Sequence, residues 1–103
     1  MEYESPGLDV PHDDEFYETI VIQGGEVGEV IKKVDWKKTP LGSFSQWPLA
    51  LKHALTLINA AQIPMAIIWG KDELLFYNDY YIPLAVGRHP QILGKNIFFL
   101  ELF

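Results

Sequence analysis

The residues best suited to chemistry near neutral pH are three histidines, His12, His53 and His89. They could bind a metal ion or exchange a proton. Their spacing is not that of a metal site, however, and each is isolated from other candidate ligands. We therefore expect no metal at these positions, and we expect His89, which precedes Pro90, to order a turn.

A run of carboxylates, Asp13, Asp14 and Glu15, is a second candidate, because two carboxylates can act together as general acid and general base. Adjacent side chains in an irregular segment neither converge on one point nor lose their hydration. The expected role of this run is therefore a solvated acidic surface.

The segment "GGEVGE" is rich in glycine, as phosphate-binding loops are. It lacks the Lys-Ser/Thr pair of such loops and does not follow a predicted strand. It predicts instead a turn at Gly24 and Gly25, followed by a short helix with Val27, Val30 and Ile31 on one face.

Asn78 and Asp79 are open to two interpretations. They could cap the short helix that follows by accepting hydrogen bonds from its first N–H groups, or they could bind a small molecule in a pocket. Both residue types are common at helix N-termini, which favours the cap.

Length and composition limit the class of protein. The chain has 103 residues, 49% of them hydrophobic, which suffices for one domain with a modest core. It has no cysteine, which excludes disulfides, thiolate nucleophiles and thiolate metal sites. A cytoplasmic location is the default expectation.

The net charge of −6 is unevenly distributed along the chain. Most acidic residues lie within residues 1–31, and this stretch contains no lysine or arginine. Residues 1–23 are therefore expected to form an acidic, largely irregular leader. The basic residues are scattered over the rest of the chain, and the leader would repel phosphate. Nucleic acid is therefore not expected as a partner.

Hydrophobic periodicity predicts an α+β fold. Leu51, Leu55 and Ile58 recur at helical spacing and indicate a helix from about residue 48 to residue 61. After Pro64, the runs "MAIIW", "GKDE" and "LLFYN" predict a strand, a turn and a returning strand, which together form an antiparallel hairpin. "TIVI", residues 19–22, could form a further short strand.

Two other stretches need an explanation. Residues 53–70 are uncharged over a length that approaches a membrane span, but Asn59, Gln62 and Pro64 interrupt them. We expect a buried helix and strand there and no membrane insertion.

The irregular stretch "VDWKKTPLGSFSQWP" is expected to be pinned onto the core by its two tryptophans.

A series of short motifs runs through residues 24 to about 96. They are Gly-Gly-Glu-x-Gly at 24–28, Asp-Trp-x-x-Thr-Pro-Leu-Gly at 35–42, Trp-Pro at 47–48, Pro-Met at 64–65, Trp-Gly at 69–70, Tyr-Asn-Asp at 77–79, His-Pro at 89–90 and Leu-Gly at 93–94. In this order they resemble the N-terminal PAS sensor region of bacterial sensor histidine kinases and hybrid kinases.

The resemblance implies a PAS-like fold with an antiparallel β-hairpin, flanking helices and an incomplete sheet. A PAS domain has a five-stranded antiparallel sheet with helices on one face, and this chain would supply only the first hairpin and the helices after it. Residues 24–103 would then be the N-terminal flank and first half of the domain, with the remaining strands beyond Phe103.

The resemblance also implies a candidate ligand pocket, because inward side chains of the hairpin line the cavity of a complete PAS domain. The residues that would do so here are Met65, Ile67, Trp69, Phe76, Tyr77 and Asn78. Without the missing strands they could equally be core or interface residues. Haem ligation by His89 is the alternative to its turn role, but no cofactor is expected, and flavin photochemistry would need a cysteine that the chain lacks.

The function that the resemblance implies is a sensory module of a two-component system, without catalytic activity of its own. His53 could be taken for the phospho-accepting histidine, but it lacks the glutamate and downstream proline of that motif and is expected to be structural. The expected partners are a second copy of the chain or a C-terminal signalling domain, together with a small-molecule ligand. The alternative is a truncated fragment that acts only as a protein-interaction or dimerisation element.

Overall fold

The computed structural model describes residues 15–97 and has an α+β architecture. A π-helical turn, Tyr17–Ile22, precedes helix α1, Gly25–Lys33. Helix α2, Leu49–Ala60, is followed by strands β1, Ala66–Trp69, and β2, Leu74–Tyr77, and by a 3-10 helix, Asp79–Ala85. Short 3-10 turns at Trp36–Lys38 and Phe44–Gln46 lie between the two α-helices.

Strands β1 and β2 form the predicted antiparallel hairpin. Ile67 lies opposite Phe76, and the N–H of Asn78 donates to the carbonyl of Met65 at 3.1 Å. The other edge of β2 is occupied as well, because Leu75 exchanges hydrogen bonds with the segment at residues 94–95 at 2.7 and 2.9 Å. Strand β2 is therefore central, and all of its residues are buried, whereas β1 lies at the edge.

The two faces of the hairpin are covered by different parts of the chain. Consecutive side chains of a strand point to opposite faces. On one face Phe76 packs against Trp36 and Trp47, with ring centroids 5.9 and 5.7 Å apart. On the opposite face Tyr77 packs against Tyr81 at 5.2 Å.

The tryptophans of the irregular stretch lie in the core, as predicted. Trp36 and Trp47 are 6% and 4% exposed, and their rings meet edge to face at 5.0 Å. Each indole also has a backbone partner, because Trp36 Nε1 donates to the Ile31 carbonyl at 2.7 Å and Trp47 Nε1 donates to the Gly42 carbonyl at 2.8 Å. The stretch is thus held by burial and by hydrogen bonds that need no regular secondary structure.

The predicted long helix is confirmed. Pro48 stands at the N-cap of α2, and Leu51, Leu55 and Ile58 are buried along one side. Lys52 is buried on the same helix, with its ammonium group 4.9 Å from the centre of the Phe44 ring. Within residues 15–97, no helix has the length and apolar character that a membrane span requires.

The strand predicted for residues 19–22 is wrong, because these residues belong to the π-helical turn. Ile20 and Val21 are buried, and the turn packs against α1. Close approach is possible because Gly24 and Gly28 have no side chain where the carbonyls of Ile20 and Val21 press against them. The part of the predicted irregular leader that the structure describes, residues 15–23, is therefore largely helical.

Other expectations for the leader and the C-terminus fall outside the described residues. His12, Asp13, Asp14 and the terminal run "IFFLELF" from residue 98 onwards belong to this group. Glu15, the last member of the carboxylate run, is described and exposed.

The contact between Gly94 and Trp36 predicts a strongly destabilising substitution. Gly94 has φ of 77°, and a Cβ there would lie 2.6 Å from Cη2 of Trp36. Gly94→Ala therefore combines left-handed backbone strain with overpacking and is expected to lower the free energy of unfolding by about 2–4 kcal/mol. Urea unfolding measures this change.

Gly87→Ala is the matched control. Gly87 has φ of 80°, and a Cβ there would have no atom within 4 Å, so only the backbone strain of about 1 kcal/mol is expected. If both variants lost the same amount of unfolding free energy, the packing of Trp36 against Gly94 would be contradicted.

Candidate functional site

The side chain of Asn78 joins several segments at the end of β2. Its Nδ2 donates to the carbonyls of Ile58 and Ile63 at 2.8 and 2.9 Å. Its Oδ1 accepts from the N–H groups of Met65 and Tyr81, both at 3.2 Å. Asn78 is 2% exposed, so these bonds replace all the water that the amide would otherwise bind. The predicted cap is confirmed, since Tyr81 belongs to the following 3-10 helix.

Asp79 caps a different helix from the one predicted. Its carboxylate oxygens accept from the N–H groups of Glu26 and Val27 at 2.9 and 2.8 Å, which places a negative charge at the N-terminus of α1. Gly25, with φ of 68°, lies directly against this carboxylate, and a Cβ there would collide with it. The glycine-rich segment is thus a turn and a helix start, as predicted.

Tyr77, His89 and Glu26 form a chain of polar groups next to this junction. The Tyr77 hydroxyl and His89 Nδ1 are 2.6 Å apart. His89 Nε2 lies 3.1 Å from the Glu26 carboxylate, but not at an angle that makes a hydrogen bond. Burial raises the pKa of the Tyr77 hydroxyl far above its ordinary value, and the neighbouring Tyr81 and Glu26 raise it further. Tyr77 is therefore a neutral phenol at physiological pH.

The two alternatives for His89 can be compared with this geometry. His89 lies in a turn, as expected, and its side chain is only 4% exposed. Both ring nitrogens face groups of the protein, the Tyr77 hydroxyl and the Glu26 carboxylate. The arrangement favours a structural imidazole over a ligand of haem.

His53 lies exposed on α2, with its ring against the edge of Phe16 at 5.1 Å. Among residues 15–97, no three carboxylate or imidazole side chains come together in a way that could hold a metal ion.

A groove of about 390 Å³ lies between the segment that follows α1 and the segment that pairs with β2. Its apolar lining residues include Trp36, Leu74 and Leu93, and its charged ones are Lys38, Lys95 and Asp72. We call it the Trp36 groove. Its volume is in the range of small-molecule sites, which are mostly apolar with a few polar groups. The full lining is Val34, Trp36, Lys38, Thr39, Pro40, Asp72, Leu74, Pro90, Gln91, Leu93, Gly94, Lys95 and Asn96.

The six residues predicted to line a pocket do not lie around this groove. The register puts Met65, Ile67, Trp69 and Phe76 on one face of the hairpin and Tyr77 on the other, because odd and even positions of a strand alternate. Phe76 and Tyr77 are core residues, and those of the six that belong to β1 are half-buried. Whether any of them contacts a ligand stays a prediction.

Of the six, Asn78 lines a second cavity, of about 150 Å³, together with Gln23, Asn59 and Asp79. The Trp36 groove was missed because its walls are far apart in sequence. The Leu-Gly pair at residues 93–94 was the available signal, since its glycine is the residue that touches Trp36.

Comparison of the chain with models of protein families, with curated proteins and with solved structures found no match.

The hydrogen bonds of the junction predict graded losses of stability. Asp79→Ala removes the acceptor for two N–H groups of α1 and is expected to cost about 1–2 kcal/mol of unfolding free energy. Asn78→Asp keeps the size of the side chain but places an oxygen against the two buried carbonyls, and it should cost about 3 kcal/mol or more. Chemical denaturation of each variant measures these values.

Asp35→Ala is the control for loss of a carboxylate. The Asp35 carboxylate forms an exposed ion pair with Lys38 at 3.9 Å, which should contribute less than about 0.5 kcal/mol. If Asp79→Ala lowered the free energy of unfolding no more than Asp35→Ala does, the capping of α1 by Asp79 would be contradicted.

The burial of Tyr77 predicts a pH dependence in the alkaline range. Its pKa is higher in the folded than in the unfolded chain. Above about pH 10, therefore, the unfolded chain loses the phenol proton first and stability falls as the pH rises. Tyr77→Phe should reduce this alkaline loss, while costing about 1–2 kcal/mol at neutral pH because His89 Nδ1 loses its partner.

Urea unfolding at a series of pH values measures both effects. Tyr80→Phe is the control. Because Tyr80 is 51% exposed, this substitution should change neither the alkaline loss of stability nor the stability at neutral pH. An unchanged alkaline slope in Tyr77→Phe would contradict the raised pKa.

Proposed function

We propose that the chain is part of a PAS-type sensory and protein-interaction module of a two-component sensor kinase. In this proposal the chain has no catalytic activity and is cytoplasmic, and a small apolar or amphipathic molecule binds in the Trp36 groove. The observation that carries the proposal is a double role of Trp36. Its ring lines the groove, and its Nε1 donates to the carbonyl of Ile31 in the last turn of α1.

Helix α1 is held at both ends by groups that a ligand could influence. Asp79, at the base of the hairpin, caps its N-terminus, and Trp36 binds the carbonyl of Ile31 near its C-terminus. A molecule that changes the packing of Trp36 against Gly94 would therefore change the position of α1 relative to the hairpin. Such a ligand shifts the equilibrium between two packings by its difference in affinity for them.

The groove also lies next to the end of the described chain. Gly94, Lys95 and Asn96 line it. The same segment pairs with Leu75 of β2, and the Ile97 N–H donates to the carbonyl of Glu73, just before β2, at 2.9 Å. A ligand between Trp36 and this segment would act on the residues that lead towards the C-terminus. In the proposal, this is the route to an output domain.

A second candidate function is a protein-interaction element that binds no small molecule. The observation that favours it is the exposed edge of β1, where Ala66 and Ile68 are exposed. An interaction element would leave the Trp36 groove without a ligand, so ligand binding separates the two functions.

The test is thermal unfolding of the chain with a library of small apolar and amphipathic compounds. A compound that binds the folded state should raise the midpoint by several degrees at saturating concentration. The same compound should shift the indole N–H resonance of Trp36, which reports on the bond to Ile31.

Two matched substitutions locate the binding. Gln91→Trp places a large ring in the groove, and Gln62→Trp places the same ring at an exposed position outside its lining. We expect Gln91→Trp to abolish the stabilisation and Gln62→Trp to preserve it. Absence of any stabilising compound, or stabilisation that survives Gln91→Trp, would contradict ligand sensing through this groove.

A further inference from the structure

A cavity of about 210 Å³ lies between the π-helical turn, the C-terminal end of α1 and the irregular stretch that follows α1. We call it the Tyr17 cavity. Tyr17, Val21 and Phe44 contribute apolar walls, and Lys32 and Lys37 contribute positive charge. Its volume is below the range of about 300–1,000 Å³ that is usual for small-molecule sites. A few side chains of a polypeptide fit such a cavity better than a drug-sized molecule does.

The surface beside this cavity is basic. It carries Lys32 and Lys33 at the end of α1 and Lys37 and Lys38 shortly after it, and all four are exposed. We call these four residues the lysine surface. Asp35, the one acidic residue among residues 32–38, is already paired with Lys38 at 3.9 Å. Neither Lys32 nor Lys33 forms an ion pair with another residue of the described chain, so both are available to an acidic partner.

The segment with the complementary charge is residues 1–14, which precede the described part of the chain. It contains no lysine or arginine, and its acidic residues lie on both sides of an apolar pair, Leu8 and Val10. Its last residue is three positions from Tyr17, which lines the cavity. The acidic residues are Glu2, Glu4, Asp9, Asp13 and Asp14.

We propose that residues 1–14 bind the lysine surface of the same chain, with Leu8 and Val10 in the Tyr17 cavity and the carboxylates beside the lysines. This inference does not depend on ligand binding in the Trp36 groove. Because the segment is covalently attached, its effective concentration at the cavity is on the order of millimolar. Several contacts that are each weak therefore suffice to hold it. An acidic segment of another protein would have to compete with this concentration.

The chain is long enough for this contact. Nine positions separate Leu8 from Tyr17, and an extended chain spans about 3.3–3.6 Å per residue, so Leu8 can reach any point within about 30 Å of Tyr17. Tyr17 itself packs edge to face against Phe44, with ring centroids 5.4 Å apart. The described chain therefore begins at the wall of the cavity.

The Tyr17 cavity and the Trp36 groove have two lining residues in common, Val34 and Trp36. Side chains that fill the cavity would restrict the segment that forms one wall of the groove. Residues 1–14 would in this way act as an internal regulator of that wall.

The experiment measures paramagnetic relaxation enhancement in the full chain. Because the chain has no cysteine, Ser5→Cys provides a single site for a nitroxide label. We expect the label to broaden the amide resonances of Val34, Lys37 and Ser43, which border the cavity and are distant from residue 5 in sequence. The broadening should weaken as the salt concentration is raised, since the Debye length falls from about 10 Å at 0.1 M to about 3 Å at 1 M.

Two substitutions and a control test the contacts themselves. Lys32→Glu reverses one charge at the cavity and should lower the equilibrium constant for binding of residues 1–14 by about two- to fivefold. Leu8→Ser removes an apolar side chain from the cavity and should lower the constant by about tenfold. Lys71→Glu is the matched control, because Lys71 is exposed in the hairpin turn and outside the lining of the cavity. It changes the net charge equally and should leave the broadening unchanged.

A mixed sample shows whether the contact forms within one molecule. It combines the nitroxide-labelled chain at natural isotope abundance with a ¹⁵N-enriched chain that carries no label. We expect no broadening in this mixture. Broadening as strong as that within one chain would mean that residues 1–14 bind a second copy, and it would overturn the proposal. Absence of broadening at low salt would overturn it as well, as would equal broadening in Lys32→Glu and Lys71→Glu.

Discussion

The position of the hairpin depends on the side chains of Asn78 and Asp79, which directly follow β2 and form hydrogen bonds with different segments of the chain. Asn78 is satisfied by backbone groups from α2, from the loop after it, from β1 and from the 3-10 helix. Asp79 completes the N-terminus of α1 across a sequence separation of more than fifty residues. A buried amide with unpaired groups would be costly, so each of these segments is fixed by the need to satisfy the same side chain.

The glycines and tryptophans follow from this arrangement. Once α1 is drawn against Asp79, Gly25 must carry no side chain, and Gly24 must lie against the carbonyl of Ile20. Trp36 then fills the space between α1, Phe76 and Gly94. These positions belong to the motifs that prompted the PAS resemblance, and each has a local physical reason to be the residue it is.

Local patterns in the sequence predicted the parts of the fold that local physics determines. The spacing of Leu51, Leu55 and Ile58 gave α2, and the β-branched run after Pro64 gave the hairpin. The strand expected at residues 19–22 failed because β-branched residues also suit a buried helical turn, and the deciding contact with Gly24 and Gly28 is tertiary.

The candidate site was harder to predict for the same reason. The lining of the Trp36 groove runs from Val34 to Asn96, and the hydrophobic period of one segment does not report a contact between segments so far apart in sequence. The grouping of Met65, Ile67, Trp69, Phe76, Tyr77 and Asn78 into one pocket did not take account of the strand period, which separates Phe76 from Tyr77.

The two strands of the hairpin differ in what they can do. Strand β2 is paired on both edges and buried on both faces, so its position is fixed by the core. Within residues 15–97, strand β1 is paired on one edge, and its side chains are exposed or half-buried. Both strands nevertheless meet at Asn78, which binds Met65 at the start of β1. Asn78 therefore ties the position of β1 to the positions of β2 and of the C-terminal end of α2.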